Sequence, residues 1–257
     1  MKRICITVIL SFAWLFSAAQ VNVKDSLVAV PLIIPFGGVH APLGDVQERY
    51  KITYHIGAQF LFKHKSNWVW GASGAFLFGE NVGERNFMIP IAPIYSADGS
   101  MPAISLGMRG MSLMGLGGKL IPLGKKPNRN SGLLVHLGVG YIQHKIAIDV
   151  RGDLTPQASG AYVKGYDRLT DGVAISQFVG YMFLGNSRKV NFMVGFEAIQ
   201  GFTKNRRAYN YDTFQPDTGD KFDVFLGLKV GWMFPIYGKN LGANRQKDKK
   251  EREFFYE

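Results

Sequence analysis

The segment that decides the fold is KFDVFLGLKVGWMFPIY, from Lys221 to Tyr237. Successive side chains of a β-strand point to opposite faces, so this alternation predicts a strand with one fully apolar face. The pattern outlasts the five or six residues usual in a soluble strand, which favours a strand that crosses a lipid bilayer. A long hairpin strand in a soluble sandwich is the alternative. The apolar positions are Phe222, Val224, Leu226, Leu228, Val230, Trp232, Phe234 and Ile236.

Similar apolar alternation recurs upstream and predicts seven further strands. Short polar turns alternate with long loops between them, as in outer-membrane barrels, where short turns face the periplasm. The pattern predicts an all-β fold, a single antiparallel transmembrane β-barrel of eight strands with both termini in the periplasm. Pro31 and Pro35 weaken the first strand, because proline cannot donate to the ladder. The predicted strands are Leu27 to Gly37, Ile52 to Lys63, Trp68 to Gly79, Ser105 to Pro122, Ser131 to Ile148, Val173 to Leu184 and Val190 to Thr203.

The N-terminus has the pattern of a secretory signal peptide. Lys2 and Arg3 precede an apolar run, and small residues follow at Ser17 to Gln20, which predicts a signal peptide over residues 1–19. The run is shorter than the roughly 20 residues of a membrane-spanning helix. The single cysteine, Cys5, leaves with this segment, so the exported chain forms no disulfide. Residues 20–238 then form the barrel.

The charge balance indicates an anionic partner. The chain has 30 Lys and Arg against 19 Asp and Glu, and an excess of nine remains without the signal peptide's two basic residues. An exported chain rarely meets nucleic acid, so we expect contact with anionic lipid and lipopolysaccharide. Lys204, Arg206 and Arg207, just above a predicted strand end, are the expected contacts with lipopolysaccharide phosphates. A simply solvated loop is an equal alternative.

Four charged residues are assigned to the interior face of the predicted barrel: Arg109, Glu197, Asp223 and Lys229. A charge in so narrow a lumen requires a partner, and Glu197 and Lys229 can pair because they lie on adjacent strands. An ion pathway is the alternative. We expect side chains to fill an eight-stranded lumen instead.

Catalysis would require a histidine beside a serine with an acid behind it. His55, His136 and His144 are the candidate bases, with Ser73 or Ser176 as nucleophile. Their spacing neither supports nor excludes this arrangement, and a single histidine on the mixed face is more often a lumen residue. The chain lacks a histidine pair at metal-ligand spacing, so neither a metal nor a cofactor is predicted. We therefore predict a non-enzymatic protein.

Residues 239–257 form a predicted periplasmic tail. Basic and acidic residues alternate through it, a composition that buries no core and is disordered alone. It ends in Phe254, Phe255 and Tyr256, which have no packing role in a barrel. These aromatics are expected to dock on a protein partner, and an inert solvated tail is the alternative.

Several motifs resemble those of small outer-membrane barrels of Bacteroidota, a group described as OmpX-like or PorT-like. They are SAAQ at Ser17 to Gln20, GYDRLT at Gly165 to Thr170, GFTKNRR at Gly201 to Arg207 and GLKVGW at Gly227 to Trp232. Lys229 to Ile236 is also similar to the last-strand signal read by the barrel assembly machinery. The resemblance implies a scaffold or accessory subunit of an outer-membrane assembly or secretion complex. A small-solute channel or lipid-binding transporter is the second hypothesis, and a lipid-modifying enzyme is the third.

Overall fold

A computed structural model describes residues 27–80, 82–83, 95–124, 128–151, 160, 162–185, 190–211 and 213–237. The predicted signal peptide, residues 1–19, lies outside the described residues. The predicted tail, residues 239–257, also lies outside them, together with its docking residues Phe254, Phe255 and Tyr256.

The described chain is a closed antiparallel β-sheet. Each strand pairs with the next, and β1 pairs with both β2 and β8, so the sheet has no free edge. The prediction of an eight-stranded antiparallel barrel is therefore confirmed. A two-residue strand, β9, continues the path of β8 along β1. The strands are β1 Val30–Gly44, β2 Thr53–Lys63, β3 Trp68–Gly79, β4 Ala103–Pro122, β5 Gly132–Arg151, β6 Thr170–Leu184, β7 Asn191–Asn205, β8 Asp220–Trp232 and β9 Phe234–Pro235.

Among the described residues, helix is confined to two short segments at the loop end of the barrel. Helix α1 covers Val46–Arg49 between β1 and β2, and a 3₁₀ helix covers Tyr162–Gly165 before β6. Within the described parts of the chain, we find no helix of the length and apolarity that crossing a membrane requires.

Strand β1 extends further than predicted, because the predicted strand ended at Gly37 and the observed strand continues to Gly44. The ladder between β1 and β8 stops at Phe36 and resumes at Ile33 in the same register. The gap falls at Pro35, which has no N–H to donate. The N–H of Met233 donates instead to the carbonyl of Asn191 on β7, at 2.8 Å. The proline therefore interrupts the ladder without opening the ring.

The outer face of the barrel is an apolar belt between two aromatic girdles. Near the loops, Tyr54 packs against Phe78 and Phe202 against Phe222. Near the short turns, the pairs are Phe62 with Trp70 and Phe183 with Phe192. Aromatic girdles of this kind mark the two membrane interfaces. The alternate residues predicted to face outward on β2, β5, β7 and β8 do face outward.

The girdles are a membrane thickness apart. Tyr54 and Phe62 are eight residues apart on β2, which is about 26 Å along a strand. A strand tilt of about 40° reduces this to about 20 Å, close to the ~25 Å apolar band of known outer-membrane barrels.

The hairpin of β4 and β5 extends beyond the belt on the loop side. Both strands have 20 residues, twice what a crossing needs. Outward residues on β5 are apolar up to Tyr141 and polar afterwards at Gln143, Lys145 and Asp149. This change marks the level at which the hairpin leaves the hydrocarbon.

Candidate functional site

Two opposite charges meet in the middle of the barrel interior. Glu197 on β7 and Lys229 on β8 are diagonal neighbours, since each lies opposite a glycine of the other strand. The Lys229 Nζ donates to Oε1 of Glu197 at 2.7 Å, and both side chains are buried. The ammonium also lies 3.9 Å from the ring centroid of Phe36, a cation–π contact. The predicted pairing of these two residues is present.

Two histidines stack beside this ion pair. His40 on β1 and His55 on β2 have ring centroids 4.1 Å apart and planes inclined by 23°. Their Nε2 atoms lie 3.5 Å and 3.7 Å from Oε2 of Glu197. The neighbouring position is Gly38, where a Cβ would lie 2.6 Å from the His55 ring and 2.1 Å from the carbonyl of Leu228. Glycine at this position leaves the space that the His55 ring occupies.

A second polar cluster lies toward the loop end. The buried carboxylate of Asp223 accepts a hydrogen bond from Thr203 at 2.6 Å, and His144 Nε2 lies 2.9 Å from the same oxygen. The Arg49 guanidinium of α1 donates to Thr170 Oγ1 at 2.9 Å and lies 3.6 Å from Asp217. Arg49 therefore joins α1, the start of β6 and the β7–β8 loop across the mouth of the barrel.

The turn end of the interior is closed by Lys63. Its Nζ is fully buried and donates to Asn130 Oδ1 at 2.7 Å and to the Val28 carbonyl at 3.1 Å. The Val28 N–H donates to the same Asn130 oxygen at 3.1 Å. These bonds hold the chain segment before β1 across the barrel end.

Between these ends, a small cavity lies beside His55 and Glu197, with Ser73 and Ser112 on its wall. Its volume is about 10 Å³, which is room for roughly one water molecule. Around this cavity, side chains of the described residues fill the interior.

Of the four charges assigned to the lumen, Glu197, Asp223 and Lys229 are buried inside, but the assignment of Arg109 is wrong. Arg109 points outward, its side chain is 65% exposed, and it lies 3.6 Å from Asp149. The reason lies in β4, where glycines occupy both faces and hide the alternation. Residues of even number, such as Met108 and Met114, fill the interior instead.

The described structure places the three candidate catalytic histidines in three different surroundings. None of them forms a hydrogen bond with a serine in the described structure. Ser73 lines the cavity beside His55 without bonding to it, and His136 stacks on Phe178 with both ring nitrogens unbonded. Ser176 Oγ is also buried without a hydrogen-bond partner among the described residues.

The three basic residues expected to contact lipopolysaccharide each face an acid. Lys204 lies 2.9 Å from Asp220, and Arg206 pairs with Asp171. Arg207 donates from Nε to Asp167 Oδ1 at 2.7 Å. The cations expected to contact lipopolysaccharide are thus partly neutralised by acids of the same chain. The hydrogen bonds that Arg207 donates to Asp167 raise the pKa of Arg207 above its usual value.

Sequence reasoning missed His40 as a member of the central cluster, which consists of His40, His55, Glu197 and Lys229. It falls in the part of β1 that was predicted as loop, and it meets His55 only because β1 and β2 pair there. The two histidines are 15 positions apart, a spacing that carries no local signal of a shared site.

No protein-family profile matches the sequence, and no curated protein matches it significantly. The chain is similar in structure to Ail, the attachment invasion locus protein of Yersinia pestis, in complex with the heparin analogue sucrose octasulfate. That match has 12% identity and a TM-score of 0.39, and it covers 80% of this chain and 98% of Ail. Neisserial surface protein A matches with 7% identity and a TM-score of 0.35, covering 79% and 95%. The outer-membrane protein OprG of Pseudomonas aeruginosa matches with 9% identity and a TM-score of 0.30, covering 80% and 98%.

The chain's own geometry defines its class. A closed ring of eight antiparallel strands carries an apolar belt between two aromatic girdles, with charged residues above the belt. Closed barrels satisfy every backbone hydrogen bond of a β-sheet inside hydrocarbon. The protein is a small β-barrel of the bacterial outer membrane.

Proposed function

We propose that this barrel is a non-enzymatic scaffold or accessory subunit of an outer-membrane assembly or secretion complex, of the Bacteroidota small-barrel type. The observation that carries the proposal is the filled interior, whose cavity beside His55 holds about one water molecule. With so little space inside, the barrel is proposed to act through its outer surfaces instead of by transport or catalysis. Those surfaces are the lipid-facing belt, the loops and the predicted tail.

The lipopolysaccharide contact is proposed for Lys204 and Arg206, whose side chains are 61% and 54% exposed. The Lys204–Asp220 pair is exposed on both sides and contributes little, so a phosphate group can replace Asp220 at small cost. Asp171, the partner of Arg206, is only 13% exposed, so the replacement costs more there. Arg207 differs because its partner Asp167 is buried and it is held by two hydrogen bonds. Arg207 therefore stabilises the loop, and Lys204 and Arg206 are the residues proposed to contact the phosphates.

The tail is the segment proposed to bind the protein partner. Its terminal aromatics, Phe254, Phe255 and Tyr256, supply apolar area for a groove on that partner, and the charged residues before them act as a tether. We propose this docking because the described barrel buries its own core without help from the tail.

The experiment is to delete Phe254 to Glu257 and compare the proteins that co-purify from detergent-solubilised membranes. We expect a specific partner to be lost while barrel insertion stays unchanged, as judged by the heat-dependent shift of the folded band on a gel. Phe214→Ser, which changes an exposed loop aromatic and leaves the tail intact, is the control. An unchanged set of co-purifying proteins in the deletion variant would exclude docking by the tail.

A further inference from the structure

We propose that His40, His55 and Glu197 form a binding site for one divalent transition-metal ion of the Zn²⁺ type inside the barrel. The three residues come from β1, β2 and β7 and are all buried. The site is separate from the loops and the tail, so it is independent of the proposed partner function.

The three ligand atoms lie close together, and because the two imidazole rings are stacked at 23°, one ring must turn for both Nε2 lone pairs to reach one ion. The two Nε2 atoms lie 3.5 Å and 3.7 Å from the same carboxylate oxygen, and one ligand atom from each residue fits within 4.8 Å of the others. Zinc binds nitrogen and oxygen at about 2.0–2.2 Å, which places two tetrahedral ligands about 3.3 Å apart. Both nitrogen–oxygen gaps therefore need to close by only a few tenths of an ångström.

The hydrogen bonding of the two histidines supports the site independently of these distances. Both rings are buried, and none of their four nitrogens has a hydrogen-bond partner among the described residues. Buried polar groups without partners are unfavourable, and a neutral imidazole offers one nitrogen lone pair to a metal. His144 shows the contrast, because its Nε2 is 2.9 Å from Asp223 and its polar contact is made within the protein.

The donor set determines the class of ion. Two imidazoles and one carboxylate suit Zn²⁺ and related first-row ions, and they leave a fourth position open. The adjacent cavity of about 10 Å³ beside His55 holds one water molecule, which can complete the coordination. Hard ions such as Ca²⁺ are disfavoured because they require six or more oxygen ligands.

Lys229 sets the strength of the site. Its ammonium donates to Oε1 of Glu197, whereas the two histidines approach Oε2, so Oε2 stays available to the ion. A positive charge so close to the ion weakens binding through repulsion. The lysine also balances Glu197 when no metal is bound, which allows the barrel to fold in either state. Removing this cation should therefore tighten the site.

The test uses the full-length protein, folded in detergent, stripped with a chelator and dialysed against ZnCl₂ or CoCl₂. We expect about one ion per barrel by elemental analysis, and visible absorption bands from bound Co²⁺. His40→Gln and His55→Gln should each weaken binding at least tenfold. His136→Gln is the matched control, since His136 is equally buried but Phe178 lies between it and Glu197 in the sheet.

Two further measurements keep the proposal falsifiable if a variant fails to fold. X-ray absorption of the zinc-loaded wild-type protein should show two imidazole ligands, and a spectrum without imidazole would overturn the site. Lys229→Met should bind Co²⁺ more tightly than wild type. Equal metal content in wild type and in the double variant His40→Gln, His55→Gln would also exclude the site, because binding would then lie elsewhere on the chain.

Discussion

At the scale of single residues, the Glu197–Lys229 pair is the most consequential contact of the interior. Neither charge reaches solvent, so each depends on the other for its counter-charge. Breaking one partner of a buried pair costs about 3–5 kcal/mol, because the remaining charge is left without compensation. We predict a loss of this size in Lys229→Met, measured by denaturant titration of the refolded barrel in lipid vesicles.

The double variant Lys229→Met, Glu197→Gln should recover much of that loss, since no unpaired charge remains. Arg109→Ala is the control and should change stability by less than about 0.5 kcal/mol, because Arg109 is exposed. If Arg109→Ala and Lys229→Met destabilised the barrel equally, the assignment of these residues to outside and inside would be wrong.

At the loop end of the barrel, Arg49 is a buried charged residue that holds neighbouring elements together. It is buried and bonds Thr170 at 2.9 Å, while its other terminal nitrogen approaches Asp217. We predict that Arg49→Ala loosens the β7–β8 loop, because Thr170 and Asp217 then lose a shared donor. Chymotrypsin should cleave after Tyr209, Tyr211 or Phe214 several-fold faster in this variant.

Lys204→Ala is the matched control for Arg49→Ala, because Lys204 borders the same loop and makes only an exposed ion pair. Its cleavage rate should equal that of wild type. Unchanged cleavage in Arg49→Ala would show that the loop is held by its other contacts, such as the Arg207–Asp167 pair.

The same loop should respond to acid. Partial burial alone would raise the pKa of Asp217, but hydrogen bonds from Lys221 and Asn205 and the nearby Arg49 lower it overall. Because its folded-state pKa is lowered, the ionised carboxylate of Asp217 stabilises the loop at pH values above its unfolded pKa of about 4. This stabilisation is lost as the pH falls further. Opening of the loop, measured by hydrogen–deuterium exchange and corrected for the intrinsic pH dependence of exchange, should therefore stay constant from pH 7 to about pH 5 and rise only below about pH 4. Asp217→Asn should remove that rise.

At the scale of the strand, depth in the belt decides the effect of an outward charge. Leu228 on β8 pairs with Phe196 midway between the girdles, whereas Phe192 pairs with Trp232 beside the short turns. We predict that Leu228→Arg destabilises the barrel by ~2–4 kcal/mol and Phe192→Arg by only ~0–1 kcal/mol. Folding free energies in vesicles of defined lipid check both values.

Met193 is the inward neighbour of Phe192 and serves as the comparison. Met193→Arg places a charge in the packed interior, so its cost should not depend on bilayer thickness. The cost of Leu228→Arg should rise in thicker bilayers, where the site lies deeper in hydrocarbon. Identical responses of the two variants to thickness would refute the assigned faces.

At the scale of the whole molecule, the filled interior predicts a barrel that does not conduct. Lys63 closes one end, Arg49 lies across the other, and the ion pair occupies the middle. We predict no discrete conductance steps when the folded protein is incorporated into planar bilayers, whereas a 16-stranded porin should conduct in the same assay. Reproducible conductance steps that disappear after heat denaturation would contradict the packed interior and favour the channel hypothesis.

Much of the barrel was predictable because a membrane strand must present alternate residues to lipid. The outward faces of β2, β5, β7 and β8 followed from apolar alternation, and the turn lengths predicted which ends of the strands share a side. The failures have local causes. In β4, glycines on both faces concealed the alternation and led to the error at Arg109. In β1, prolines and glycines resembled a loop, although pairing with β2 and β8 holds them in a strand.

The central cluster shows where sequence alone stopped. The charges of Glu197 and Lys229 and their position on adjacent strands were readable, because neighbouring strands of a meander pair in order. The proximity of His40 and His55 to Glu197 could not be predicted from the sequence. Only closure of the ring brings β1 beside β8 and so brings both histidines near Glu197 on β7, and only the register sets Gly38 where the His55 ring needs space. Alternation is a property of each strand, so the sequence by itself determined which residues point inward. Distances across the lumen depend on ring closure and register, so the tertiary structure decided which of these residues meet.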